Sequence, residues 1–163
     1  EAARSVRQGE HLPDLITVAL NTGMRRGELL GLEWPRVDLK RGLVYLEPDD
    51  QKSGEYSAVP LNPAAKAALK RQEGNHKQWV FVYHELPIND VKKGFATARE
   101  RAGIADFHFH DLRHTCAAWL VQAGVPIRTV AEILRHKSIE TTMRYAHLAP
   151  DNARKAVAAI NFG

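Results

Sequence analysis

A single cysteine, Cys116, is all the thiol this 163-residue chain possesses. No intrachain disulfide can form, so the fold must be held by packing, and the usage fits a reducing compartment. No apolar run approaches the roughly 20 residues that a membrane-spanning helix needs, which excludes a helical membrane protein. Internal repeats, low-complexity tracts and linkers are also lacking, which leaves one domain as the expected organisation. Nor is there a strong excess of either charge. The formal net charge of +4 and pI of about 9.3 are a mild basic bias, which permits a nucleic-acid partner without requiring one.

What is present is the material of an ordinary globular domain, with 44% hydrophobic and 26% charged residues, in a chain long enough for a real core. EAARSVRQGE reads as the end of a helix. LPDLITVALNTG places Leu12, Ile16 and Leu20 at helical spacing, and Gly23 stops the pattern. RRGELLGLEW is expected to form a second helix, closed by Pro35. VDLKRGLVYLEP then carries two short β-rich runs with Gly42 as the turn, and Ser57 to Pro60 supplies a third strand. PAAKAALKRQE is Ala-rich and helical, WVFVY is a strand or a buried extended segment, and residues 88–102 read as a helix ended by Gly103. The last third is helical throughout. One helix runs from near His110 to Gly124, another starts at Pro126, and a third follows Ser138 as N-cap; APDNARKAVAAI closes the chain. The expected architecture is mainly α with a small three-stranded antiparallel sheet near residues 37–60.

The stretch FHFHDLRHT, residues 107–115, crowds His108, His110, Arg113 and His114 together. At about 100° per residue, Leu112, Cys116, Trp119 and Leu120 form the expected core stripe of this helix, leaving His110, Arg113, His114 and Ala117 on the other side. A functional face fits that pattern, and so does a solvated face with incidental histidines. A zinc site is a further alternative. His110 and His114 are four apart, as in metal-binding helices, with His108 as a third ligand. Arg113 on the same face opposes it, since a guanidinium repels a dication. In the helix after Ser138, Ile139, Met143 and Ala146 form the apolar stripe and Tyr145 lies about 100° or more away, as a phenol presented to a partner or as a half-exposed tyrosine.

Taken together these motifs resemble the catalytic domain of the tyrosine recombinases, the phage integrase family. NTGMRRGELLGLEW resembles the first arginine motif, with Arg25 as its arginine. QKSGEYSAVPL resembles the hairpin segment that carries the lysine, here Lys52. HDLRHT resembles the H-x-x-R box, giving His110 and Arg113, and LRHKSIETTMRYAH resembles the closing motif, giving His136 and the nucleophile Tyr145. The motifs come in family order over nearly the whole chain. Residues 1–163 are therefore expected to be a single catalytic domain, with the family's N-terminal DNA-binding domain outside this chain. One departure stands out: the residue before His136 is usually glycine in the family and is Arg135 here. It either adds a cation to the site or points away from it.

The resemblance implies phosphoryl transfer on double-stranded DNA: site-specific recombination through a 3′-phosphotyrosyl intermediate, with no cofactor and no metal. Arg25 and Arg113 would clamp the phosphate through their planar forks. His110 and His136 would donate further hydrogen bonds, with His110 able to accept the phenol proton, and Lys52 would protonate the leaving 5′-oxygen. Glu28, three residues after Arg25, would orient the site. His114 and His108 are supporting or incidental. The resemblance further implies a homotetramer on two duplexes when full length and a cytoplasmic, prokaryotic or phage-encoded protein. The competing expectations are a non-catalytic DNA-binding remnant of the same fold and, behind it, a zinc hydrolase built on His108, His110 and His114.

Overall fold

The computed structural model describes residues 2–5, 11–47, 56–150 and 157–160. The first helix, α1 (Leu12–Thr22), buries Leu12, Leu15, Val18 and Ala19 at helical spacing and is packed between α3 (Pro63–Gln72) and α5 (Asp111–Gln122). It ends at Gly23, which takes a left-handed φ of 62° and donates its N–H to the Ala19 carbonyl. The left-handed backbone favours glycine there, and a Cβ would lie 2.5 Å from Cδ2 of Leu134, which would have to shift.

The short helix α2 (Arg26–Leu30) follows at once. It stops well before Pro35. The chain instead pairs with the segment around residue 79: the Trp34 N–H donates to the Gln78 carbonyl at 2.8 Å and the Val80 N–H to the Leu32 carbonyl at 2.9 Å. This antiparallel bridge, Glu33 to Trp79, draws the end of the expected helix into extended backbone and accounts for the WVFVY run. Val80 and Phe81 are core residues of an extended segment. The rest of the run enters a small hairpin of β4 (Val82–Tyr83) and β5 (Leu86–Pro87).

The three-stranded sheet appears where the sequence places it, in the order β1 (Val37–Asp38), β2 (Leu43–Leu46), β3 (Ser57–Pro60), all antiparallel. Val44 stands opposite both Val37 and Val59, and Val44 and Leu46 point into the core while Tyr45 points out, the period-two pattern of a half-buried strand. Helix α3 starts with a side-chain cap, the Ala65 N–H donating to Asn62 Oδ1 at 2.9 Å.

Helix α4 (Lys92–Arg101) begins four residues later than the pattern suggested, because Asp90 Oδ1 takes the Lys92 N–H and turns the chain there. Ahead of α5, Phe107 and Phe109 alternate inward and pack against the main core, so His108 and His110 alternate outward. The chain then passes through α6 (Ile127–Leu134) and α7 (Glu140–Met143) to a 3-10 turn at Ala146–Leu148. Ser138 caps this last segment, its hydroxyl accepting the Glu140 N–H at 3.1 Å.

Two expectations about helix faces are overturned. On α5 the expected core residue Trp119 is 52% exposed, while Arg113 and Ala117 are buried. The helix is covered on two sides, by α1 and by α6, so the face carrying Arg113 is an interior interface rather than a solvent face. Beyond Ser138, the expected apolar stripe is turned outward. Ile139 is exposed and Met143 is 51% exposed, whereas Thr142 and Tyr145 are buried. Tyr145 joins a second apolar cluster with Ala117, Val121, Val130 and Leu134. Among the described residues no helix is long and apolar enough to cross a membrane.

Candidate active site

Three segments meet where the two clusters adjoin: the α1–α2 junction, the first turns of α5, and the chain from the end of α6 to Tyr145. Arg25 is the N-cap residue of α2. Its backbone N–H donates to Glu28 Oε2 at 2.8 Å, its Nη1 donates to Glu28 Oε1 at 2.7 Å, and its Nη2 donates to the Arg135 carbonyl at 3.1 Å. The neighbouring Met24 is buried in the core and anchors the loop. Arg25 is thus held on three sides, yet its side chain keeps partial access to solvent.

Arg113 is buried on α5. Its Nη1 donates to the Gly23 carbonyl and its Nη2 to the Leu134 carbonyl, which lie at the C-terminal ends of α1 and α6. Two helix ends, each with unpaired carbonyls and partial negative charge, therefore hold one guanidinium. Burial, and next the charges of Arg25 and Arg135, pull its pKa down to about 10, which leaves it cationic at neutral pH. A guanidinium has five N–H donors, so two such bonds leave a donor set free for an oxyanion.

His136 follows Arg135, the C-cap residue of α6, and its Nδ1 is 2.7 Å from Thr142 Oγ1. Burial, together with the Arg113 and Arg25 charges, lowers its pKa to about 4, so it is neutral at physiological pH. In the tautomer in which the Thr142 hydroxyl donates, the His136 Nε2 carries the proton and can donate. Tyr145 is 9% exposed, and its hydroxyl is hydrogen-bonded to His114 Nδ1. Burial raises the phenol pKa, against a smaller opposing effect of Arg144 and Arg113. His110 is exposed at the N-cap of α5, its ring edge-on to His114 with centroids 4.9 Å apart. Burial, then His114 and Arg113, lowers its pKa.

The structure thus brings together Arg25, Glu28, Arg113, His114, His136 and Tyr145, with His110 at the rim. Lys52 belongs to the β2–β3 connection and lies outside the described residues. Two participants were undervalued or missed in the sequence. His114, supporting or incidental on the sequence, is the residue that touches the phenol; its position one turn after His110 was the available signal. Thr142, the partner of His136, gave no signal beyond its place in the closing motif. Arg135 turns inward, its Nη2 donating to Glu28 Oε2 at 2.8 Å.

His108 does not stand ready for a metal. Its backbone N–H donates to Asp111 Oδ2 at 2.6 Å and its ring faces the same carboxylate, an arrangement that starts helix α5. Among the described residues no group of three or more His, Cys, Asp or Glu side chains is placed to hold a metal ion.

The mainly helical fold with its small sheet and this Arg-His-Arg-His-Tyr cluster define the class, the catalytic-domain fold of tyrosine recombinases. The chain belongs to the phage integrase family, whose pattern it matches over residues 2–152. It is 43% identical over 157 residues to the integrase of Salmonella phage P22, covering 88% of this chain and 41% of that protein. It is 35% identical over 132 residues to a shufflon-specific DNA recombinase of Escherichia coli, covering 80% of this chain and 33% of that one. The chain therefore spans less than half the length of these relatives. Among solved structures, the catalytic domain of bacteriophage HP1 integrase superposes with a TM-score of 0.75 at 27% identity, covering 96% of this chain and 86% of that one. The Tn1549 transposon integrase in complex with a circular intermediate DNA superposes with a TM-score of 0.82 at 21% identity, covering 97% of this chain and 61% of that one.

Proposed function

We propose that this chain is the catalytic domain of a site-specific DNA recombinase that cuts and rejoins strands through a 3′-phosphotyrosyl bond. The observation that carries the reading is the convergence of two tethered guanidiniums, Arg25 and Arg113, with a neutral His136 and a hydrogen-bonded Tyr145 phenol. Such a group suits the transition state of phosphodiester attack, in which charge grows on the non-bridging oxygens and catalysis is mainly positioning and electrostatic stabilisation.

In the step itself the Tyr145 oxygen attacks phosphorus, and the phenol proton passes to His114 Nδ1, its existing hydrogen-bond partner. This reassigns to His114 the acceptor role that the family resemblance gave to His110. Arg25 and Arg113 bind the non-bridging oxygens through their free N–H groups, and His136 Nε2–H supplies a further donor. The bond from phosphorus to the 5′-oxygen breaks, and that oxygen leaves as a hydroxyl with a proton from Lys52. Attack by a 5′-hydroxyl of another strand reverses the sequence and restores the phenol. The phosphotyrosyl ester conserves the bond energy, so no nucleotide cofactor is called for. The partner is double-stranded DNA in the cytoplasm of a bacterium, or of a phage's host, and the full-length protein works as a homotetramer on two duplexes.

The test is covalent trapping. The full-length protein that carries this domain is mixed with nicked suicide duplexes spanning the junctions of its encoding element. The expected result is a denaturation-resistant adduct that mass spectrometry maps to Tyr145. Silence of the full-length protein on its own junctions would instead support a DNA-binding remnant.

A further inference from the structure

Arg135 occupies a position where three features work against an arginine. It is the C-cap of α6 with a left-handed φ of 55°, a conformation that suits glycine. Its side chain is only 8% exposed. Its buried Nε has no hydrogen-bond partner among the described residues. A side chain held against backbone preference, desolvation and an unpaired donor points to a role beyond packing.

What the side chain gains is Glu28. Nη2 of Arg135 donates to Glu28 Oε2 at 2.8 Å, and Nη1 turns back to the Ile133 carbonyl at 2.9 Å, which fixes the guanidinium. Glu28, itself 1% exposed, holds Arg25 through its other oxygen. The main chain of residue 135 completes the ring by accepting Arg25 Nη2. Residue 135 thus contacts the clamp twice, once through its carbonyl and once through Glu28.

This ring addresses a problem in the clamp. A buried carboxylate is a good orienting group for Arg25, but alone it also neutralises the charge that must meet a phosphate. A second guanidinium on the same carboxylate removes that conflict. We propose that Arg135 is a positioning residue for the strand-cleavage reaction: a buried counter-cation that lets Glu28 orient Arg25 without neutralising it. The proposal rests on the recombinase reading above. The charged groups around Glu28 are Arg25 at the start of α2, Arg113 on α5 and Arg135 at the end of α6, with the Cys116 thiol of α5 beside the two buried arginines. Burial pushes the Glu28 carboxyl pKa up, and the Arg135 charge followed by the Arg25 hydrogen bonds brings it below its ordinary value.

The experiment compares R135M, R135K and R135G with the wild type in the full-length protein. R135M removes the charge at similar volume, R135K restores charge on the same backbone, and R135G relieves the left-handed backbone. Single-turnover cleavage of a suicide duplex is followed at saturating DNA and across pH. In parallel, the Glu28 carboxyl is titrated by 13C NMR. In R135M and R135G the cleavage rate should fall about tenfold, the common effect of removing a supporting partner of a functional ligand. Half-saturating DNA should stay unchanged, and the Glu28 midpoint and the acid limb of cleavage should both move to higher pH. R135K should recover most of the rate and the midpoint. A wild-type rate in R135G, or a Glu28 midpoint that does not move in a folded R135M, overturns the proposal. If the wild type forms no adduct, the recombinase reading fails separately, and the Glu28 midpoint alone decides whether Arg135 governs that carboxylate.

Discussion

Glu28→Gln is the most informative single change in this protein. The Glu28 carboxylate accepts from the Arg25 backbone N–H, from Arg25 Nη1 and from Arg135 Nη2, and it is buried. A glutamine amide offers one acceptor and one donor end. Whichever way it turns, its NH2 meets an N–H already pointing at it, and both ion pairs lose their anion. Breaking a buried pair by removing one partner costs about 3–5 kcal/mol, and a domain has only about 5–15 kcal/mol to lose. Because Arg25 stays partly open to water and recovers some solvation, the lower end, about 3 kcal/mol, is expected in urea unfolding at neutral pH. The pH dependence carries a sign. The folded pKa of Glu28 lies below its ordinary 4.5, so the carboxylate's stabilisation is complete above that value and is lost as pH falls through the folded pKa. The gap between wild type and Glu28→Gln should therefore be full at neutral pH and close only under acid conditions. A gap below about 1 kcal/mol at neutral pH, the size of an exposed pair, would refute the view of Glu28 as a shared buried anion.

Tyr145→Phe should abolish the covalent adduct while lowering stability by only about 1 kcal/mol, the net worth of one hydrogen bond, since the ring keeps its place among Ala117, Val121, Val130 and Leu134; a persistent adduct would dismiss Tyr145 as nucleophile. His114→Ala should slow cleavage about a hundredfold or more and make the residual rate climb with pH, as phenolate must then form without an adjacent acceptor; a smaller loss than His110→Ala shows would return the acceptor role to His110. Gly23→Ala should destabilise by about 1–3 kcal/mol through its left-handed backbone and the contact with Leu134, and cleavage should fall with it because both carbonyls that hold Arg113 flank that contact; unchanged melting and unchanged cleavage would count against the tether.

Much of the fold was legible because its signals are local. Gly23, Asn62 and Ser138 mark helix ends by conformation and capping, and β2 alternates as a half-buried strand must. The errors fall where tertiary pairing overrides a local pattern. RRGELLGLEW has the composition of one helix, but Leu32 and Trp34 exchange main-chain hydrogen bonds with residues 78–80, a partner some 45 positions away that no local pattern reveals. The face of α5 was misread for a related reason. Reading a helix as half core and half solvent assumes one neighbour, and α5 has α1 on one side and α6 on the other. Arg113 reaches the C-terminal ends of both neighbours, where periodicity alone suggests solvent.

The site was legible as a set of residues rather than as a set of contacts, and Tyr145 shows why. Its angular distance from Ile139 and Met143 suggested a phenol presented outward. The chain leaves the helix at Arg144, so the angle counted along a continuous helix does not apply at the next residue. The turn sends the ring into the α5–α6 cluster and brings its hydroxyl to His114. Such an arrangement has a catalytic logic that an exposed tyrosine would lack. A ring fixed by packing has little rotamer freedom left to lose when DNA binds, and a phenol whose pKa burial raises stays protonated until its partner takes the proton. On the recombinase reading, the scissile phosphate must reach Arg25 and Arg113 with the Tyr145–His114 hydrogen bond in place, so that the proton leaves as the oxygen attacks. Substitutions in the Val130–Leu134 packing should therefore slow cleavage by loosening that alignment, without touching the phosphate.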